Sequence, residues 1–286
     1  MNQLKTVLLL SILTGILLML GKVIGGNTGV LVMLLISLAI NFVSYWSSDK
    51  IVLKMYNARE VEKDSRLYLL VAGLAKNAGL PMPKVCIIPS EVPNAFATGR
   101  NPEHAAVAVT EGLLSILDDD EVSGVVSHEL SHVLHRDTLI STVVASIAGV
   151  ISMIANMAQW FAIFGRGSDD EDNNPLALLL TAIIAPIAAL IIQMSISRAR
   201  EFMADEEGGR ICDNPLALAK ALGQIEQYAS HRVLSQASPS TAHMFIVNPF
   251  SGVKGGLQTL FSTHPSTKER IARLQKLDQI LHGSKH

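Results

Sequence analysis

Four apolar blocks constrain this chain before any motif does. Thr6–Leu20, Val30–Trp46, Leu139–Phe164 and Leu176–Ser197 contain no charged residue. Blocks three and four are 26 and 22 residues long, enough to cross about 30 Å of hydrocarbon as helices. The apolar residues are gathered in blocks rather than spread over amphipathic faces, and mean hydropathy is +0.35. Block one follows a short Met-Asn-Gln-Leu-Lys start, as a signal peptide would. No small-x-small cleavage site follows it, however, and a second block comes at once across the Gly-rich break GKVIGGNTG. Blocks one and two therefore read as an uncleaved hairpin, with Tyr45 and Trp46 as interface anchors.

Basic residues set the orientation. Lys50, Lys54, Arg59, Lys63 and Arg66 follow block two, whereas the first turn carries only Lys22. The turn between blocks three and four, GRGSDDEDNNP, has one Arg against four acids, and Arg136, Arg198 and Arg200 flank the opposite ends. Both termini and the segments 47–137 and 198–286 are thus expected on the cytoplasmic side. The implied division is a transmembrane hairpin (1–46), a first cytoplasmic part (47–137), a second hydrophobic hairpin (138–197) and a second cytoplasmic part (198–286).

A net charge of −2 with no basic stripe gives no reason to expect a nucleic-acid partner. Cys86 and Cys212 form no motif and read as reduced, structural thiols. Within the cytoplasmic parts, 57–78 reads as an amphipathic helix, PKVCIIPS (83–90) and HAAVAVT (104–110) as short strands, and DDDE (118–121) as a helix start whose acids suit the dipole. Residues 215–229 and 266–281 are further helix candidates. The soluble part is therefore α+β, mostly helical with a small sheet.

The helix after DDDE carries HELSH. His128 and His132 lie one turn apart and project from nearly one face, so they can chelate one ion. Glu129 is rotated away from that line, in the position of a general base acting on a water at the metal. A catalytic zinc needs a third protein ligand. His135 is near, but ligands at 128 and 135 on one straight helix lie about 10 Å apart along its axis, and no glycine follows His132 to turn the chain back. The better candidate is SRAREFMAD (197–205), where Glu201 can complete a His-His-Glu set. Asp205, one turn on, can accept the free ring N–H of a ligating histidine. This segment begins as block four ends, and HELSH precedes block three, so a membrane hairpin would return both ligand sets to one edge.

HELSH, SRAREFMAD, NAFATG and HPSTKER behind an N-terminal hydrophobic hairpin resemble the HtpX family of membrane zinc metalloproteases, gluzincins related to the CaaX prenyl-protein proteases. The resemblance covers essentially the whole chain. It implies a mainly α membrane protein with four transmembrane helices and a cytoplasmic α+β gluzincin-like domain carrying a small sheet. It implies one Zn2+ held by His128, His132 and Glu201, with Glu129 as base and proton shuttle. It further implies a zinc metalloendopeptidase (class EC 3.4.24) of the bacterial inner membrane, cleaving misfolded or damaged membrane proteins, and unfolded soluble ones, in stress-induced quality control. Its partners would be polypeptide substrates and the lipid bilayer. The matching segment of relatives lies beside the active-site cleft, so Asn94, Ala95, Phe96 and Ala97 are expected to bind substrate as an added strand, Asn94 by donating to a substrate carbonyl. Pro265 is expected at a first-turn position of the last helix. His264 is expected to stabilise the oxyanion, with Arg270 bracing it.

Three rivals are weaker on the residues. An intramembrane metalloprotease would take an Asp ligand from a later span, and blocks three and four contain none. A holdase with a structural zinc would draw on cysteine ligands, and neither cysteine lies near the motifs. A prenyl-protein protease would need a larger multi-span chamber.

Overall fold

The computed structural model describes residues 2–144, 197–231, 245–246 and 265–283. Most of blocks three and four, the acidic turn and His264 lie outside the described residues. The first two apolar blocks form α1 (Asn2–Trp46), which reverses at Gly25 and Gly26. Gly26 adopts φ +58, a left-handed conformation that glycine enters without a Cβ penalty. The two arms then lie side by side: Asn41 Nδ2 donates to Thr14 Oγ1 at 2.9 Å. Near the turn the backbones of Gly21 and Gly29 approach so closely that neither site has room for a Cβ.

Gly25–Trp46 is the one described helix long and apolar enough to cross a membrane. Four spans are expected from the sequence, and among the described residues one such helix is present. Residues 138–144 open a further helix. Its Leu139, Ile140, Val143 and Val144 are buried against Leu13 and Leu17 of α1, so the N-terminal hairpin packs on the start of block three.

After α1 come α2 (Ser48–Met55), β1 (Arg59–Glu60), α3 (Arg66–Asn77), β2 (Lys84–Ile88), β3 (Ala95–Gly99) and β4 (Ala105–Thr110). Then follow α4 (Glu111–Ile116), α5 (Asp119–Leu134), α6 (Arg198–Ile211), α7 (Pro215–His231) and α8 (Thr267–His282). The sheet order is β1-β2-β4-β3. Strands β2 and β4 are parallel, and the outer pairs are antiparallel. One face of the sheet carries Val52 of α2 with Cys86, Ile88, Phe96 and Ala108. The other packs Val85, Ala95, Ala97 and Val107 against Val122, Val126 and Leu130 of α5. Burial pushes the Cys86 thiol up to about 11, as befits an inert structural cysteine.

Local sequence accounts for the helix ends. Asp118 caps α5 in a full capping box with Glu121, satisfying two free N–H groups reciprocally. The helix expected over 57–78 begins only at Arg66, because Ser65 caps it at Tyr68 N and Arg59 and Glu60 pair with Ile87 and Cys86 instead. The last helix is capped by Ser266, so Pro265 precedes the cap rather than occupying the first turn.

Candidate metal centre

The site assembles where α5 and α6 touch. Gly208 is what lets them do so, because a Cβ there would meet His128 N and Cα at 2.8 Å. With the backbones this close, Glu201 and Asp205 on α6 reach the α5 histidines. One ligand atom each from His128, His132 and Glu201 lies within 4.8 Å of the others. His128 Nε2 stands 3.8 Å from Glu201 Oε2, and His132 Nε2 stands 3.5 Å from Glu201 Oε1. Both imidazoles therefore present the same nitrogen to one carboxylate.

Each ring is turned that way by a second carboxylate. His128 Nδ1 lies 2.9 Å from Asp205 Oδ1. Arg270 in turn donates to Asp205, Nε to Oδ2 at 2.8 Å and Nη2 to Oδ1 at 2.7 Å. His132 Nδ1 faces Asp137 Oδ2 at 3.4 Å, and Arg200 Nη1 lies 3.3 Å from Asp137 Oδ1. A ring that donates at Nδ1 keeps its Nε2 lone pair for a metal. The residues fit a divalent ion of zinc type: two imidazoles and a carboxylate, with orienting partners behind.

Asp137 and Arg200 have no place in the sequence reading, where Arg200 served only as a charge flanking the membrane. Their signal is local. The end of α5 carries two backbone bonds, Asp137 N to His132 O and Arg136 N to Val133 O, with Arg136 at φ +57. This is a Schellman turn, and it swings Asp137 back beside the ring of His132. His135 caps that helix end, exposed to solvent, and points to no ligand role.

Glu129, between the histidines, is 7% exposed. Its Oε2 accepts from Ala97 N at 2.8 Å, which ties the carboxylate to the edge strand β3. Of the residues expected to bind substrate, Ala95 and Ala97 face α5. Phe96 does not: its ring packs beside Tyr56 on the opposite face, centroids 5.2 Å apart. The period-2 alternation of a strand dictates this. Asn94 is buried, and its Oδ1 accepts from Ile246 N at 3.2 Å. Arg270, expected to brace His264, is engaged by Asp205 and by the carbonyl of Ile246 at 2.7 Å.

Comparison with known proteins places the chain in a family. A family model described as "Peptidase family M48" matches residues 61–278. The chain belongs to peptidase family M48. The "Protease HtpX homolog" of Desulfatibacillum aliphaticivorans is 54% identical over 278 residues, covering 96% of this chain and 89% of that protein. A protein of the same description from Thermococcus kodakarensis (strain ATCC BAA-918 / JCM 12380 / KOD1) is 53% identical, covering 96% and 95%. Among solved structures, S. mikatae Ste24p aligns with a TM-score of 0.49 and 18% identity, across 96% of this chain and 65% of that one.

The electrostatics of this cluster would make metal binding pH-dependent. Burial by itself would lower the His132 pKa, but Asp137, Glu201 and Glu129 outweigh it and raise the value from 6.5 to about 9. Without metal, that proton stabilises the fold below about pH 6.5, and the contribution is lost as pH rises through about 9. A metal must displace it. Apparent metal affinity should therefore rise about tenfold per pH unit between pH 6 and 8 from this proton alone. Calorimetric titration in buffers of different ionisation enthalpy should show proton release at pH 7. A pH-independent affinity with no release would contradict it.

Proposed function

We propose that this chain is a zinc-dependent endopeptidase of the bacterial inner membrane (class EC 3.4.24), multi-pass, with both termini and the active site on the cytoplasmic side. It degrades misfolded or damaged membrane proteins, and unfolded soluble chains, as part of stress-induced quality control. The observation that carries this reading is the position of Glu129. It stands beside the His128–His132–Glu201 cluster, with its carboxylate fixed to the backbone of an edge strand.

A zinc ion held by those three side chains would supply Lewis acidity at the scissile carbonyl and acidify a water. Glu129 accepts the proton of the attacking water and returns it to the leaving nitrogen. The Ala97 N–H holds one carboxylate oxygen, which leaves the other for that proton. Asp205 and Asp137 keep the two imidazoles aimed. The edge of β3 offers main-chain groups to an extended substrate with little regard to its side chains, which suits a protease of damaged proteins. His264 is assigned the oxyanion role on resemblance alone.

The test is a detergent-purified full-length preparation given unfolded casein. Cleavage should fall by about a hundredfold or more when a chelator strips the metal, and return with one equivalent of zinc. A preparation that holds one zinc per chain and leaves casein intact would overturn the reading.

A further inference from the structure

Residues 137–144 touch the metal cluster, the strand that holds Glu129 and the apolar hairpin at once. Asp137 is buried and immediately precedes the helix that opens at 138. Its Oδ2 faces the ring of the candidate ligand His132, and its Oδ1 meets Arg200, the chain neighbour of the candidate ligand Glu201. Within the helix, Thr142 is fully buried, and its hydroxyl donates to Thr138 O at 2.6 Å. With the proton used there, the same oxygen accepts from Thr98 Oγ1 at 2.9 Å and from Gly99 N at 3.2 Å. Gly99 stands two residues along β3 from Ala97, whose N–H holds Glu129 Oε2 at 2.8 Å.

The other side of this helix belongs to α1. At 100° per residue, positions 138 and 142 project roughly opposite to 139, 140, 143 and 144. Leu139, Ile140, Val143 and Val144 form one buried cluster with Leu13 and Leu17 of the first arm of α1. The second arm reaches the same end of β3. There Arg100 Nη1 donates to Trp46 O at 3.2 Å, with its guanidinium 5.0 Å from the Trp46 ring centroid. A close-packed interior transmits displacement rather than absorbing it. The helix therefore cannot follow a shift of α1 without carrying Asp137 and Thr142 along, and their hydrogen bonds tolerate only a few tenths of an ångström.

We propose that residues 137–144 are a brace that makes the seating of the α1 hairpin a condition for a formed site. Asp137 and Thr142 are its two positioning residues. The first acts on His132, and the second acts through β3 on Glu129. The hairpin is then part of the working machinery as well as an anchor. Loosening α1 costs metal affinity through Asp137 and the aim of Glu129 through Thr142. The Glu129 half rests on the endopeptidase reading above, whereas the metal half needs only the ligand cluster.

The experiment uses the full-length protein in lipid vesicles and first reads zinc affinity by competition with a chelator. Leu17→Ala, in the hairpin, should weaken zinc by about fivefold or more. Asp137→Asn should weaken it by about 10–100-fold. Combined, they should stay within about twofold of Asp137→Asn alone, because the route from the hairpin is already cut. Ile140→Val trims the same contact from the other side and gives the milder reading should Leu17→Ala not fold. Unchanged zinc affinity in the hairpin variant, or losses that simply multiply, overturns the brace. Thr142→Val keeps the shape and removes the hydroxyl. It should leave zinc affinity within about twofold and lower kcat on casein by about tenfold or more at an unchanged KM, and Thr142→Ser should restore kcat. A parental kcat in Thr142→Val, or no rescue by serine, overturns the Glu129 half. A parent that holds zinc and leaves casein intact sinks the endopeptidase reading, and the zinc cycle still decides the metal half.

Discussion

Replacing Glu129 by Gln should lower kcat by about 10²–10⁴-fold or more while leaving the metal in place. The substitution is nearly isosteric, and the amide oxygen can still accept from Ala97 N–H, as Glu129 Oε2 does at 2.8 Å. The group that could hold the metal is His128, His132 and Glu201, none of which the substitution touches. What disappears is a base able to carry a proton from water to the leaving amine. An interaction used only in the transition state lowers kcat and kcat/KM together and leaves KM near its original value. Metal content by atomic absorption and steady-state cleavage of a fluorogenic peptide check both halves. Loss of the metal would recast Glu129 as a structural residue. Activity within tenfold of the parent would remove it from the proton path.

Arg270→Met should destabilise the protein by about 3–5 kcal/mol, because it leaves one partner of a buried ion pair alone. Arg270 is 1% exposed and Asp205 2%, so solvent cannot take over the bidentate contact. Burial pushes the Asp205 carboxyl up, but Arg270, with His128, overrides this and holds it below the ordinary carboxylate value of 3.8. A depressed carboxylate contributes stability that is complete above its ordinary pKa and lost as pH falls through the folded-state value. Without Arg270 the buried Asp205 carboxylate loses the strongest of the groups that offset its burial. The variant should also bind metal about 10–100-fold more weakly, since an unbraced Asp205 no longer fixes the His128 ring. Adding Asp205→Asn should recover part of the stability, because both charges are then gone, but should not recover the metal affinity. Thermal melting of the metal-free and zinc-loaded protein separates the two effects. Unchanged melting and unchanged affinity would show the pair to be a bystander.

The parts legible in the sequence are those set by local periodicity and short spacing. The α5 start at Asp118–Glu121 is a pattern within one turn, and α5 itself follows from it. The His128–Glu129–His132 spacing places two imidazoles on one helix face whatever surrounds them. The reversal at Gly25–Gly26 is signalled by a glycine break between two uncharged runs. Central strand β4 announces itself as six small or β-branched residues, buried throughout. Where the reading of 57–78 as one helix failed, a hydrogen bond to a distant strand competed with helical propensity. Arg59 and Glu60 gained more from Ile87 and Cys86 than a lone first turn offers.

Other features exist only because distant segments meet. Gly208 reads as half of a GG pair, and only contact with the His128 backbone reveals it as the point where α6 closes on α5. Asp137 and Arg200 are 63 positions apart and become partners only when both flank the hydrophobic segment. Arg270 lies 65 positions from Asp205, so nothing in its neighbourhood tells whether it serves His264 or the pair Asp205–His128. Phe96 shares a motif with Ala95 and Ala97, and the side of the sheet that α5 covers sends its ring the other way. The sequence by itself determined which chemical groups are available and the two-histidine grip on one helix. The tertiary structure alone decided their alignment: which carboxylate backs which ring, which edge of β3 faces Glu129, and which end of that edge meets the apolar helices. Those choices are distances between residues far apart in the chain, and only packing sets them.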